Sequence, residues 1–317
     1  MSQNDKLNNL EYKLMQFEKN VDAFKDNNDF WTNWENFRNF ITHVINKHIV
    51  NEYDFKTLAI WGAGRCKDID LSFFCENFEE VNLFDIKRND VIEGVKAQNL
   101  SQKQLDKIKI HESFDFLDVE DIFYIELKDM FKNKSSVKSI TKFIRKQANK
   151  VNIQTSLSKV NKQFDVSISL GVHSQLFSDV KHSFDEYLNL YNDEDVSKIG
   201  AENRYLHKIG ASLYNQFLYN TVRDGGAIFV GFDLIEFSPY RGTLELLDHF
   251  KILMAKGEIF EHLDSFLKLG AVLGAYDGYY DFTKSFKDEA IKFPTNFAIW
   301  DYFDFHSYFF MTTGIIK

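Results

Sequence analysis

Cysteine and proline are nearly absent, with two of each in 317 residues. Cys66 and Cys75 stand nine positions apart in one strand–turn–helix stretch. That is too few cysteines, too close together, for a disulfide framework or a structural zinc site. No Pro-rich or low-complexity linker divides the chain, and no internal repeat is found. No apolar run approaches the roughly 20 residues that span a bilayer. The opening residues, Met1-Ser-Gln-Asn-Asp-Lys6, lead into a charged helical pattern and not an apolar signal core. The protein is therefore expected in the cytoplasm. Net charge is −9, which argues against a nucleic-acid partner. Acid is missing in one place: Met130 to Phe164 carries nine Lys or Arg and no Asp or Glu.

What is present is ample apolar material, 44% of the chain, enough for one large domain or one domain with additions. Leu10, Leu14, Phe17, Val21 and Phe24 recur at helical spacing and predict a helix over residues 7–25. Asp29 would cap a second helix reaching about Val50, with Trp31, Trp34, Phe37, Ile41, Val44 and Ile45 inward. These helices would form an N-terminal cap over residues 1–52. From residue 53 to 317, short apolar strands alternate with helices. The strands are Thr57–Trp61, Val81–Phe84, Lys107–His111, Gln163–Leu170 and Ala227–Ile235, followed by aromatic strands near 296–304 and 307–316. This alternation predicts an α/β fold with a doubly wound, mostly parallel sheet. The short link between the last two strands predicts an antiparallel pair, since parallel neighbours need a long crossover. Residues 117–163 read as a helical insertion.

The segment Thr57–Asp85 is the most informative. An apolar strand runs into Gly62-Ala-Gly64, then a helix, a second strand and Asp85. Glycines let backbone approach a ligand and leave N–H groups at a helix start free to bind it. An acid about 20 residues on is placed to grip ribose hydroxyls. The expected ligand is a cofactor containing a nucleoside.

From Thr57 to Lys317 the layout resembles the class I S-adenosylmethionine-dependent methyltransferases. Their glycine turn reads Gly-x-Gly-x-Gly, matched here by Gly62, Gly64 and Cys66, with the third glycine replaced. Ile60 stands where the family has an acid two residues before the first glycine, and Asp68 or Asp70 could substitute for it. The resemblance implies a seven-stranded sheet with an antiparallel last strand, S-adenosylmethionine as cofactor, and methyl transfer to a small-molecule or protein acceptor. It implies that Trp61, Gly62, Ala63 and Gly64 form the cofactor turn and that Asp85 holds the ribose hydroxyls. Ile86 would pack on the adenine, and Asp115 and Phe116 would meet its amino group and ring. Leu170 and Gly171 would line the methyl-transfer site. A nicotinamide dinucleotide fold would instead need Gly at the sixth position of the turn, where Lys67 stands. The altered turn also leaves open a non-catalytic, cofactor-binding scaffold. Pro239 and Pro294 are not placed for the Asn/Asp-Pro-Pro-aromatic motif of nucleic-acid amino methylation, and the Pro-Cys nucleophile of cytosine C5 chemistry is missing.

Methyl transfer asks for alignment of the reactants and, for a protonated nucleophile, removal of a proton. His173 follows the fourth strand directly and is the candidate base or substrate contact; the alternative is a loop histidine bonded to nearby backbone. Ser174 and Gln175 are equivalent polar candidates, and His306 and Tyr308 lesser ones. Tyr276, Tyr279, Tyr280 and Phe282 would make either an aromatic cage or a packing cluster. Trp31 and Trp34 would form a lid or an anchor for the second helix. No metal ligand set is found. In the basic segment, Val137, Ile140, Ile144 and Val151 form an apolar stripe, with Lys138, Lys142, Arg145, Lys146 and Lys150 mostly off it. Such a helix attracts an anionic substrate, a membrane surface or an acidic protein, or is simply a solvated face. Interleaved aromatics for a nucleic acid are lacking.

Overall fold

Strand β1 (Thr57–Trp61) is apolar along its length because the sheet is covered on both faces. Leu58 and Ile60 enter one core layer, Ala59 and Trp61 the other, as the two-residue period of a strand requires. The computed structural model describes residues 30–119, 121–160, 162–239, 241–289, 291–303 and 305–317. The helix expected over residues 7–25 and its neighbour Asp29 lie outside the described residues.

β1 pairs in parallel with β2 (Glu80–Phe84) and with β4 (Phe164–Leu170). β2 carries β3 (Ile108–Ile110), and β4 carries β5 (Val222–Phe237), again in parallel. The last two strands, β6 (Ile291–Phe303) and β7 (His306–Ile316), pair antiparallel, and β7 is also antiparallel to β5. The resulting order is β3-β2-β1-β4-β5-β7-β6, with β7 alone reversed. This is the doubly wound, mostly parallel seven-stranded sheet that was expected. Strand order reverses between β1 and β4, which opens a crevice at their carboxyl ends.

One polar residue in the middle of β2 illustrates how the sheet tolerates exceptions. Asn82 is fully buried. Its Nδ2 donates to Leu58 O at 3.2 Å and to Glu80 Oε1 at 2.8 Å, and its Oδ1 meets His111 Nε2 at 2.9 Å. All its polar atoms are satisfied, so the usual penalty for a buried amide is avoided.

A short turn over Phe30–Asn33 leads into helix α1 (Glu35–Ile45), which continues as a π-helical turn to Val50. Trp34, Phe37, Ile41, Val44 and Ile45 are buried as expected. Trp31 is not; it is 40% exposed, with the Arg38 guanidinium 3.6 Å over its ring. Phe37 stacks on Trp300 of β6 at 4.4 Å, which fixes α1 against the end of the sheet. Helix α2 (Leu71–Asn77) begins only after Asp70, whose side chain accepts from Phe73 N–H.

The segment expected as an insertion is helical in three pieces, Asp121–Lys132, α3 (Val137–Ala148) and Gln154–Lys159. Ile140 and Ile144 are fully buried with residues of α4 (Asp193–Thr221), such as Ile199 and Leu206. Each such side chain contributes about 1.5–3 kcal/mol. Arg145 forks onto Glu202 of α4 at 2.6 and 2.8 Å. Lys138, Lys142, Lys146 and Lys150 stay exposed in one row. Helix α5 (Ala275–Ser285) packs beside α4. Among the described residues no helix is long and apolar enough to cross a membrane, and no cluster of His, Cys, Asp or Glu is placed to hold a metal ion.

Candidate functional site

Two adjoining cavities open over the carboxyl ends of β1 and β4, at the reversal of strand order. They share a saddle made by Gly62, Gly64, Leu170, Gly171 and Gln175. The smaller, about 280 Å³, extends toward β2 and β3 and is lined by Asp85, Ile86, Phe114, Asp115 and Phe116. The larger, about 390 Å³, extends toward β5, β6 and β7.

The glycine turn is closed on its own sheet. Gly62 and Ala63 both donate their N–H to Phe84 O, at 2.8 and 3.0 Å, and Gly64 N–H donates to Asp85 Oδ2 at 2.9 Å. These donors were expected to be free at a helix start. They are engaged because the turn is tied to β2 well before α2 begins, with residues 65–70 between Gly64 and the helix. What the turn offers a ligand is space and shape. Gly62 has φ +72°, and a Cβ there would lie 2.3 Å from Val172 Cγ2; Gly64 has φ +49° and open space where its Cβ would be. Cys66, at the place of the third glycine, also has positive φ, +53°. A residue with a Cβ pays about 1–2 kcal/mol for that conformation.

Asp85 lies in the wall of the smaller cavity, with Oδ1 accepting from Lys87 N–H at 2.7 Å. Each carboxylate oxygen keeps a second acceptor site. Ile86 is 58% exposed at the rim. Asp115 is held by Leu117 N–H and Val119 N–H, at 2.9 and 2.8 Å, so its loop presents Phe116 edge-on to the core. Thus Gly62, Gly64, Asp85, Ile86, Asp115, Phe116, Leu170 and Gly171 converge on one cavity, and Ala63 joins the other.

Two expected site residues do not converge. Trp61 is fully buried on the opposite side of the turn; its Nε1–H donates to Ser167 Oγ and its ring stacks on Phe84 at 4.1 Å. The strand period puts Trp61 into the core while the next residue turns outward. His173 is likewise fully buried and lines neither cavity. Gly171 turns the chain with φ +64°; Val172 stays in the wall of the smaller cavity and His173 faces the core. His173 then packs against Phe232 and Tyr214, and Gly274 and Gly278 leave it room. Asn215 Nδ2 donates to Gly278 O and Asp281, so Asn215 Oδ1 accepts from His173 Nε2 at 2.8 Å. Burial lowers the histidine to about 4, so the ring is neutral at pH 7. His173 is thus a buried histidine held by the Asn215 side chain and not, as the alternative had it, by nearby backbone, and its Nδ1 has no hydrogen-bond partner. The tyrosine cluster also falls elsewhere: Tyr276 and Tyr280 are exposed on α5, and Phe282 is buried beneath it.

The larger cavity joins residues the sequence had singled out, Asp68, Trp34 and Tyr308, to others it had not placed in a site, Lys67, Asp233, Trp300 and Tyr302. Lys67 and Asp68, adjacent in the loop after β1, both line it. Burial pushes the Asp68 carboxyl up to about 6. Asp70, the other candidate substitute, is spent as the helix cap. Across the chamber stand Asp233 of β5, Trp300 and Tyr302 of β6, Tyr308 of β7 and Trp34. Trp34 donates its Nε1–H to Tyr302 O at 2.8 Å and meets Trp300 edge-on at 4.9 Å, so it is anchor and wall at once. Asp233 is 5% exposed, and its Oδ1 has no hydrogen-bond partner. The β5–β7 ladder shifts register between Asp233 and Ile235, a bulge of the kind that re-aims side chains beside a site. One signal was available in the sequence: Asp233 is the sole charge in the run Ala227–Ile235.

No protein-family model matches this chain, and no curated protein matches it. Among solved structures it is similar to the N-methyltransferase NodS from Bradyrhizobium japonicum WM9 in complex with S-adenosyl-L-homocysteine. The identity is 8%, with 94% of this chain and 98% of that one covered and a TM-score of 0.42. It is also similar to an O-methyltransferase from Bacillus cereus in complex with S-adenosylhomocysteine (7% identity, 88% and 79% covered, TM-score 0.39). A third is the methyltransferase domain of bacterial CtHen1-CN (9% identity, 90% and 100% covered, TM-score 0.39). Likenesses this distant leave the functional reading to the geometry of the site.

Proposed function

We propose that this chain binds S-adenosylmethionine across the two cavities and directs its methyl group to a small-molecule or protein acceptor. The observation that carries the reading is the saddle: two chambers of different chemistry meet over Gly62, Gly64, Leu170 and Gly171 at the switch point of the sheet. The smaller chamber suits an adenosine. Asp85 offers its remaining acceptor sites to ribose hydroxyls, and Ile86, Phe114 and Phe116 offer apolar surface to a base. The larger chamber presents Lys67 and Asp68 side by side. That pair complements the carboxylate and ammonium of an amino-acid tail. Ile60, at the position where the resembled family carries an acid, is 2% exposed and in the core, and Asp68 takes over its duty.

The open space over Gly64, where a Cβ would meet nothing within 4 Å, leaves the saddle clear for a ligand. When bound, the cofactor supplies an electrophilic methyl group on a positively charged sulfur. The chain's own contribution is positional. Lys67, Asp68 and Asp85 fix the two ends of the cofactor, while Leu170 and the aromatic wall keep the space between them shielded from water. Residues 30–52 form a cap in this reading, with Trp34 closing the chamber; residues 1–29, expected in the same cap, lie outside the described residues. A cytoplasmic setting fits two buried, unpaired cysteines. The exposed row Lys138, Lys142, Lys146 and Lys150 adds attraction for an anionic partner.

Isothermal titration with S-adenosylhomocysteine and S-adenosylmethionine tests the reading. Saturable heat supports it, reduced in Asp85→Ala and Asp68→Asn. No heat from either compound, at concentrations well above micromolar, overturns it.

A further inference from the structure

The geometry points to an amine as the acceptor: the larger chamber is a subsite for a small organic ammonium group, which pairs with Asp233 and gives it a proton. This inference rests on the methyl-transfer reading above and names the acceptor class for the same site.

Three features carry it. The wall facing the saddle is an aromatic box. Trp300 meets Trp34 at 4.9 Å and Tyr302 at 5.0 Å, and Tyr302 meets Tyr308 at 5.6 Å, all four lining the cavity. Aromatic faces attract cations. Next, Asp233 stands in that wall with Oδ1 unpartnered, although it is 95% shielded from solvent. A buried carboxylate oxygen without a donor costs about 1–3 kcal/mol or more, and a ligand N–H would satisfy it. Finally, the sign of the charges selects the ligand. Asp68 lines the same chamber and Glu236 lies farther along β5. Arg65 is drawn to Asp90 and Glu93 at 3.4 and 3.1 Å. With Lys67 and Asp68 engaged by the two charges of the cofactor's tail, the charge left facing an acceptor is Asp233, which would repel a carboxylate or phosphate. The chamber, about 390 Å³, is shared with the cofactor's tail, so the amine on its Asp233 side is compact or is the tip of a longer side chain.

The proton step balances within the site. One N–H bond of R–NH3+ breaks, its electron pair stays on nitrogen as the lone pair, and an O–H bond forms on Asp233. Ammonium and carboxylate become neutral amine and neutral acid, with no change in total charge. Asp233 suits the exchange because burial raises it to about 7, moderated by Ser174 from the loop after β4 and reinforced by Glu236. The other groups around it are Asp68, Lys67 and Arg65 of the β1 loop, with Tyr302 and Tyr308. Both tyrosines are raised by burial and stay neutral, Tyr302 at about 12.

The test uses the full chain saturated with S-adenosylhomocysteine, which has no methyl group to transfer. Phenethylamine and the isosteric phenethyl alcohol are titrated at pH 8, read by tryptophan fluorescence, since Trp34 and Trp300 form the wall. Phenethylamine should bind saturably, and more tightly than the alcohol by about tenfold or more, equal to about 1.4 kcal/mol. Its affinity should fall as pH drops from 8 to 6, because protonated Asp233 cannot pair with an ammonium. Asp233→Asn should abolish the discrimination and leave binding of the alcohol and of S-adenosylhomocysteine unchanged. Equal binding of amine and alcohol by the unaltered protein overturns the inference, as does absence of saturable amine binding at millimolar concentration. Amine binding that Asp233→Asn leaves intact also overturns it. If S-adenosylhomocysteine itself fails to bind, the cofactor reading falls. If it binds and the amine is not discriminated, only the acceptor assignment falls.

Discussion

The two glycines of the turn after β1 have the same backbone handedness and opposite surroundings, so alanine should affect them differently. At Gly62, alanine pays about 1–2 kcal/mol for a Cβ at positive φ. Its new methyl would also sit 2.3 Å from Val172 Cγ2, where carbon atoms prefer about 3.5–4.0 Å. Relieving such an overlap in a packed core costs about 1–3 kcal/mol. The sum is about 2–5 kcal/mol, a large share of a typical total of about 5–15 kcal/mol. At Gly64 only the conformational cost applies, about 1–2 kcal/mol, because the new methyl meets no protein atom. That methyl instead occupies the saddle and should weaken S-adenosylhomocysteine by about tenfold or more. Urea unfolding followed by tryptophan fluorescence measures the first effect and isothermal titration the second. A double-mutant cycle pairs Gly62→Ala with Val172→Ala. The double variant should be more stable than the sum of the singles predicts by about 1 kcal/mol or more. Equal stability losses at Gly62 and Gly64, or no coupling to Val172, would refute the reasoning.

Trp61→Phe should cost about 2–4 kcal/mol of stability through a lost buried hydrogen bond and a cavity, with cofactor affinity unchanged in calorimetry; a large loss of affinity would return Trp61 to the binding site. His173→Ala should lower the unfolding midpoint and leave S-adenosylhomocysteine binding as it was, and in a methyl-transfer assay on an identified acceptor its loss should track stability only. Asp68→Asn should weaken S-adenosylhomocysteine by about tenfold, whereas Asp70→Asn, at a cap where Asn serves equally well, should not. Asp233 has its folded value raised to about 7 from an ordinary 3.8, so the folded state binds the proton more tightly than the unfolded one. Its contribution to stability is therefore lost as pH rises from about 4 through 7. Relative to the unaltered protein, Asp233→Asn should gain about 2–4 kcal/mol between pH 4 and pH 8, read from paired urea curves; a difference that does not vary with pH would remove the buried carboxylate from the account.

Much of the architecture is written locally. The alternation of short apolar runs with helical periods dictates a wound sheet, because a strand followed by a long crossover returns parallel and a tight link returns antiparallel. Leu58-Ala-Ile-Trp61 announces a strand covered on both faces, and Asp85 stands at the end of the next one. Those signals depend on neighbours within a few residues, and the sequence by itself settles them. Tertiary structure alone decided which face a loop residue takes and what meets it there. His173 is one residue from the cavity wall, yet it faces the packing of α4 and α5. Asp233 becomes a site residue only because a bulge in β5 sets it in the wall shared with Asp68, Tyr302 and Tyr308. The two-residue period of a strand says that alternate side chains share a face. What stands opposite that face is fixed by register with strands far away in the chain, and by the sum of packing that no short window contains.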